Sequence, residues 1–216
     1  MLGVQLQFGG GRGGIDDASS PLDRGVVTDH HGDGRLGETA GATAANAGSL
    51  GTAGDGALLN GVTLNQPGPR PPAFTGFEVD NGAMRFDGVD DKIDVPYNAA
   101  LNPAAFTVEV WARVNGGAGT YRCPVASRDD FPQRGYLFYA GDNNQWQFWT
   151  GISGGGWQPM VAASNVVVGE WTHLVGTYDG ATKSFYVNGT LVGSTPTVVA
   201  PNTARPLRVG AGATEG

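Results

Sequence analysis

Four groups of residues have types and spacing that could do chemistry. Asp87, Asp90 and Asp91 sit within the five-residue run DGVDD. Three carboxylates that close together suit a hard, oxygen-loving cation such as calcium, which also takes backbone carbonyls. They equally suit a glycine-containing turn whose aspartates cap their own backbone or face solvent. Arg128, Asp129, Asp130, Phe131 and Arg134 form a second group, read as a polar loop with one aromatic inside it. The third is the tryptophan series Trp146, Trp149 and Trp157, accompanied by Asn144, Gln145 and Gln147. Flat rings can stack on the apolar face of a sugar while amides and acids take its hydroxyls. The same rings could instead fill a core: Trp146 and Phe148 on one face of a strand, Trp149 on the other. Trp157 follows Gly154-Gly155-Gly156 in what reads as a flexible stretch and stands out as a candidate exposed ring. The fourth group, His30 and His31 beside Asp29 and Asp33, offers too few fixed ligands for a stable metal centre and reads as solvated loop.

Other residues have simpler readings. His173 alternates with Trp171 and Val175 and reads as a satisfied core histidine. Cys123, the single cysteine, permits no intrachain disulfide and no cysteine zinc cluster. With no base beside it in sequence, it reads as a half-buried, inert thiol. GGGRGG at residues 9–14 lacks the strand–loop–helix spacing of a phosphate loop. Asn188-Gly189-Thr190 is formally a glycosylation acceptor, but its place between two strands explains it as a turn.

The elements that must position these groups are strands. Phe106–Val114 alternates, with Phe106, Val108, Val110, Ala112 and Val114 on one face and Thr107, Glu109, Trp111 and Arg113 on the other. Short strands are predicted at 83–87, 92–95, 135–140, 145–150, 171–178, 183–187, 190–193 and 207–210. The loop GDNN and the two-residue loop Asn188-Gly189 separate neighbouring strands as hairpin turns do. No segment longer than ten residues carries a helical period, so the chain reads as an all-β sandwich or jelly roll.

Before residue 80 there is neither tryptophan nor tyrosine. Residues 1–25 read as linker or disordered tail, residues 39–57 as small-residue loop, and Pro67 to Pro72 as irregular. Glycine accounts for 37 of 216 residues, which argues against a helical bundle. Net charge is −7, and the 13 basic residues form no stripe, which argues against nucleic acid as a partner. No apolar run is long enough to span a membrane. Residues 1–20 lack the basic start and apolar core of a signal peptide.

The ordered motifs MRFDGVDDKIDVP (Met84–Pro96), FTVEVWARV, GEWTHLVGTYDG (Gly169–Gly180), KSFYVNGTLVGS (Lys183–Ser194) and LRVGAG (Leu207–Gly212) together resemble the laminin G-like jelly roll of the concanavalin A-like lectin and glucanase superfamily. RLGETAGATAANAG (Arg35–Gly48) resembles that family's opening strand and loop, although His30–Gly34 break its usual apolar pattern. The resemblance implies an antiparallel β-sandwich over residues 26–216. It also implies a final strand after LRVG that this chain lacks, so a C-terminally incomplete domain of a larger protein is expected, with an open sheet edge.

Glucanases of the superfamily carry Glu-x-Asp-x-x-Glu on one strand. The nearest approach here, Glu78-Val79-Asp80-Asn81-Gly82-Ala83, ends in alanine and lacks the second acid that glycoside cleavage needs. The resemblance therefore implies a non-catalytic carbohydrate-binding or adhesion module, extracellular or at the cell surface. Its ligand would be a glycan or a protein, held at Arg128, Asp129, Asp130 and Trp157. A structural calcium at Asp87, Asp90 and Asp91 is also implied, as is contact with other domains of the parent chain. The rival readings are a structural or protein–protein spacer and the accessory domain of a polysaccharide-degrading enzyme.

Overall fold

In the computed structural model the described residues are the backbone of 2–9 and 24–26, and residues 43–46 and 48–211. The strands are β1 (Leu2–Gly9), β2 (Arg24–Val26), β3 (Thr43–Ala44), β4 (Gly56–Leu59), β5 (Thr63–Pro67), β6 (Gly82–Phe86), β7 (Lys92–Val95) and β8 (Phe106–Val114). They continue as β9 (Val125–Asp130), β10 (Gln133–Ala140), β11 (Gln145–Gly151), β12 (Trp157–Asn165), β13 (Trp171–Tyr178), β14 (Thr182–Val187), β15 (Thr190–Pro196) and β16 (Leu207–Val209). They form two antiparallel sheets. The first runs β15-β14-β13-β8-β1-β6-β5, with β2 paired to β1; the second runs β12-β11-β10-β9-β16-β7-β4-β3.

Strict alternation explains the strongest strands. Along β8 every second residue, from Phe106 to Val114, is buried, and the residues between are half-buried. These inward side chains meet those of the second sheet. Phe138 and Phe148 pack on Phe185 of β14 with centroids 5.9 and 6.0 Å away. Trp146, Val125, Leu207 and Val209 complete the same core. The sheets close tightly enough that a side chain at Gly176 would come within 2.6 Å of the Phe148 ring. Asn188 and Gly189 both have positive φ, 49° and 76°, the conformation a two-residue type I′ hairpin requires. Asn188 also ties the turn to β13, accepting from the His173 amide at 2.9 Å.

Three regions depart from the sequence reading. Leu2–Gly9, read as part of a linker, is a strand paired along its length with β8 and at its start with β6. Leu2, Val4, Leu6 and Phe8 alternate with Gly3, Gln5 and Gln7, a period-two pattern that the neighbouring glycines hide. Residues 10–23 and 27–42, including the His30–His31 pair and the first part of the expected Arg35–Gly48 opening strand and loop, lie outside the described residues; Thr43–Ala44 of that segment is β3. Second, Arg128, Asp129 and Asp130 lie on strand β9 and not in a loop. Third, the segment after the glycine triplet is β12, a nine-residue edge strand. Gly56–Leu59 and Thr63–Pro67 are further strands, short and poorly alternating in sequence. Both histidine and cysteine readings are refined. His173 lies half-buried on the outer face of the first sheet, its Nε2 2.8 Å from Glu109 Oε1. Cys123 is buried and its thiol donates to the Val125 carbonyl at 3.6 Å.

Candidate functional site

The second sheet is apolar on both faces. On β10, Tyr136, Phe138 and Ala140 point into the sandwich, so Leu137 and Tyr139 point out. On β11, Trp146 and Phe148 point in, and Gln147 and Trp149 point out. Leu137 and Tyr139 join Cys123 and Ala126 in a separate outer cluster, covered by Trp149 and Trp157. The rings form a row across the strands: Tyr121–Tyr139 at 4.7 Å, Tyr139–Trp149 at 5.7 Å and Trp149–Trp157 at 6.5 Å. Polar bonds orient this row. The Trp149 indole donates to Gln147 Oε1 at 2.7 Å, and Gln147 Nε2 donates to Asn143 Oδ1 at 2.9 Å. Gln147, anticipated as a ligand partner, is thus buried and holds Trp149 instead. Gln145 likewise bonds Ala163 and Asn143, and Asn144 accepts from Arg122.

Arg128 anchors one end of the row. It is 6% exposed, its guanidinium 6.0 Å from the Trp157 ring and donating to the Tyr139 hydroxyl. Nη2 is 3.6 Å from Asp130 Oδ2. Burial opposes its charge, but Tyr139, Cys123 and Asp130 outweigh this and hold its pKa above the usual arginine value.

Beside Arg128 the surface opens into a groove of about 210 Å³, lined by Ala126, Arg128, Asp129, Asp130, Phe131, Arg205, Pro206 and Arg208. The hairpin from β9 to β10 turns on Phe131-Pro132, and Phe131, at 90% exposed, stands at the groove's lip. Asp129 Oδ1 accepts from the Phe131 amide at 3.3 Å and faces Arg205 Nε at 3.6 Å. Arg205 reaches this position because the buried Asn202 organises its loop. Asn202 Oδ1 accepts from the Ala204 and Arg205 amides, and its Nδ2 donates to the Arg205 carbonyl. On the adjoining strands Arg208 Nε donates to Asp94 Oδ1 at 3.0 Å. The groove thus combines a bare ring with alternating donors and acceptors, the chemistry of polyol recognition.

The model for the laminin G-like branch of the concanavalin A-like lectin/glucanases superfamily matches residues 87–216, more than half of the chain. The chain belongs to that superfamily. No curated protein sequence matches it. Among solved structures, the lectin/glucanase-type sandwich is similar to the binding domain of Paraclostridial Mosquitocidal Protein 1, at 14% identity and a TM-score of 0.57. The match covers 95% of this chain and 44% of that one. It is also similar to the binding domain of Botulinum Neurotoxin serotype G, at 11% identity and a TM-score of 0.53, covering 76% of this chain and 40% of that one. The chain therefore spans less than half the length of these structures, and at such identities the likeness is one of fold.

Two other places in this lectin-type domain gather polar groups or enclose space. Asp87, Asp90 and Asp91 do come together, their carboxylate oxygens within 4.8 Å of one another. Asp87 Oδ1 accepts from the Val89 and Asp90 amides, and Asp91 Oδ2 accepts from the Asp87 amide. The Val89 amide is the largest influence holding Asp87 below the usual carboxylate range. The aspartates therefore close the turn themselves, and a calcium ion would have to use the oxygens left over. A cavity of about 260 Å³ at one end of the sandwich is lined by Phe106, Tyr136 and Tyr178. Both tyrosine hydroxyls are already engaged, with the carbonyls of Leu101 and Thr197. It is less suited to a polyol than the groove.

Of the anticipated ligand residues, the structure brings Arg128, Asp129 and Asp130 to one groove and sets Trp157 beside Arg128, half-buried and not fully exposed. Sequence reasoning set Trp149 on the face opposite Trp146 and Phe148, where the structure has it, but missed Tyr139, Arg205 and Arg208. Only the alternation of β10 could have placed the first. Arg205 and Arg208 lie more than seventy residues from Arg128, and only strand pairing unites them.

Proposed function

We propose that the groove and ring row on the outer face of the second sheet form the carbohydrate-binding surface of a non-catalytic binding module. The observation that carries this reading is Phe131, a 90% exposed ring set directly against Arg–Asp pairs. A lone exposed ring needs no explanation, but one bordering convergent donors and acceptors suits a sugar, whose ring face is apolar and whose rim is hydroxylated. Absence of cleavage is supported by the placement of Asp129 and Asp130. Each already lies beside an arginine, Asp130 by Arg128 and Asp129 by Arg205, both at 3.6 Å, whereas a glycosidase keeps one carboxyl as an acid and frees the other to attack or to activate water. The superfamily membership and the similar structures, both of them binding domains, agree with an extracellular module. Among the described residues no helix is long and apolar enough to cross a membrane. The module acts as one part of a longer chain, its affinity modest per site and raised by repetition.

Isothermal titration against a panel of oligosaccharides tests the reading. Saturable binding that is lost on Phe131→Ala while the melting profile is retained supports it. No binding to any saccharide, together with capture of a protein ligand through the same face, replaces it with a protein–protein module.

A further inference from the structure

Among the described residues each of the groove's three arginines lies beside a carboxylate, and that points to the class of saccharide it takes. Arg128 faces Asp130, Arg205 faces Asp129 and Arg208 holds Asp94, at 3.6, 3.6 and 3.0 Å. We infer that this charge-balanced groove selects neutral saccharides, with adjacent hydroxyls, over their acidic counterparts; the inference rests on the glycan-binding reading above.

A hydroxyl both donates and accepts, so adjacent hydroxyls can bridge an arginine and its aspartate without separating them. A uronic or sialic carboxylate only accepts. It would bring a fourth negative charge against Asp129 and Asp130 and would have to take an arginine from its present partner. Arg128 is buried and Arg208 half-buried, so neither can swing out cheaply. Arg205, with a side chain 63% exposed, is the guanidinium among the described groove residues able to turn toward an anion, and Asp129 holds it. The net charge of −7 adds long-range repulsion against any polyanion. Arg205 and its partner Asp129 are thus the specificity-determining pair.

The test uses matched probes: β-1,4-mannohexaose, cellohexaose, xylohexaose and arabinohexaose against β-1,4-mannuronate and α-1,4-galacturonate hexamers, by titration calorimetry at low and high salt. The expected result is that at least one neutral probe binds, with an affinity changing less than about twofold with salt, and that the uronates bind at least about tenfold more weakly. Asp129→Asn, which releases Arg205 and removes a negative charge, should raise uronate affinity about fivefold and make it salt-sensitive. Arg205→Gln should weaken uronate binding further, and it guards against an Asp129 variant that folds poorly. Uronates binding as tightly as neutral probes, or an Asp129→Asn protein that folds and gains nothing, overturns the charge-selection inference and leaves the glycan reading standing. Binding by neither class overturns both.

Discussion

The outer faces of the two sheets are built from the same residue types and end in opposite states. On the first sheet Trp111 stacks on His173 at 4.8 Å, and Phe74 and Phe77 close over it edge-on at 5.1 and 5.3 Å. Those two phenylalanines come from the segment after β5. The base of that segment is pinned by Arg70 Nε on the Asn81 carbonyl and by Asn81 Nδ2 on the Pro69 carbonyl. His173 is engaged by Glu109, and Arg113 lies over Trp171 at 4.9 Å. That face is closed by its own chain. On the second sheet the rings are packed side by side, and among the described residues nothing crosses Phe131, 90% exposed, or the groove beside it. Tryptophan content therefore says little about binding. What separates scaffold from site is whether the chain supplies its own cover.

The largest expected effect concerns the scaffold behind the site. Lys183 of β14 is fully buried between the sheets, its Nζ donating to Thr150 Oγ1 at 3.2 Å and to the Gln158 carbonyl. It thereby grips β11 and β12 from inside, next to the positions that carry Trp149 and Trp157 outside. Burial lowers its pKa to about 8. Below that pH the folded state bears the full penalty of a buried charge. Between about 8 and the ordinary 10.5 the folded lysine is neutral while the unfolded one still holds its proton, so stability rises with pH. Denaturation at a series of pH values should show a gain of up to about 3 kcal/mol across that window. Lys183→Met should flatten it, and a wild-type profile falling throughout the window would contradict the assignment.

Next in size, Trp111→Ala should cost about 2–3 kcal/mol of stability, because it empties a ring cluster closed on three sides. Saccharide affinity should stay within about twofold. Phe131→Ala should do the reverse. Its affinity loss should be about tenfold, near 1.4 kcal/mol, with stability changed by less than about 0.5 kcal/mol. If the two variants exchanged phenotypes, the contrast between closed and open faces would be inverted. The smallest effect is expected at the aspartate turn. Asp87→Ala should cost about 1 kcal/mol through the lost amide bonds, with or without a chelator. A melting temperature that rises with added calcium and falls in chelator would put an ion on that turn.

Much of the fold was legible because period-two alternation is strong where a strand has one buried face. Phe106–Val114 and Trp171–Tyr178 appear with their predicted bounds, and Asn188-Gly189 makes its hairpin. Strand β9 was hidden because Arg128, Asp129 and Asp130 look like loop residues until β10 and β16 are paired on either side. The edge strand β12 was hidden by the glycines before it. The site was half legible. The acidic and basic residues of one segment mark it, but its other wall comes from Arg205 and Arg208, and no local pattern reports a contact made by strand order.

The most direct test of the closed-face and open-face distinction is a nitrogen–proton correlation spectrum of the five indole groups during saccharide titration. The Trp157 and Trp149 resonances should move, Trp157 the more, while Trp111, Trp146 and Trp171 stay in place. Movement centred on Trp111 or Trp171 would contradict the account.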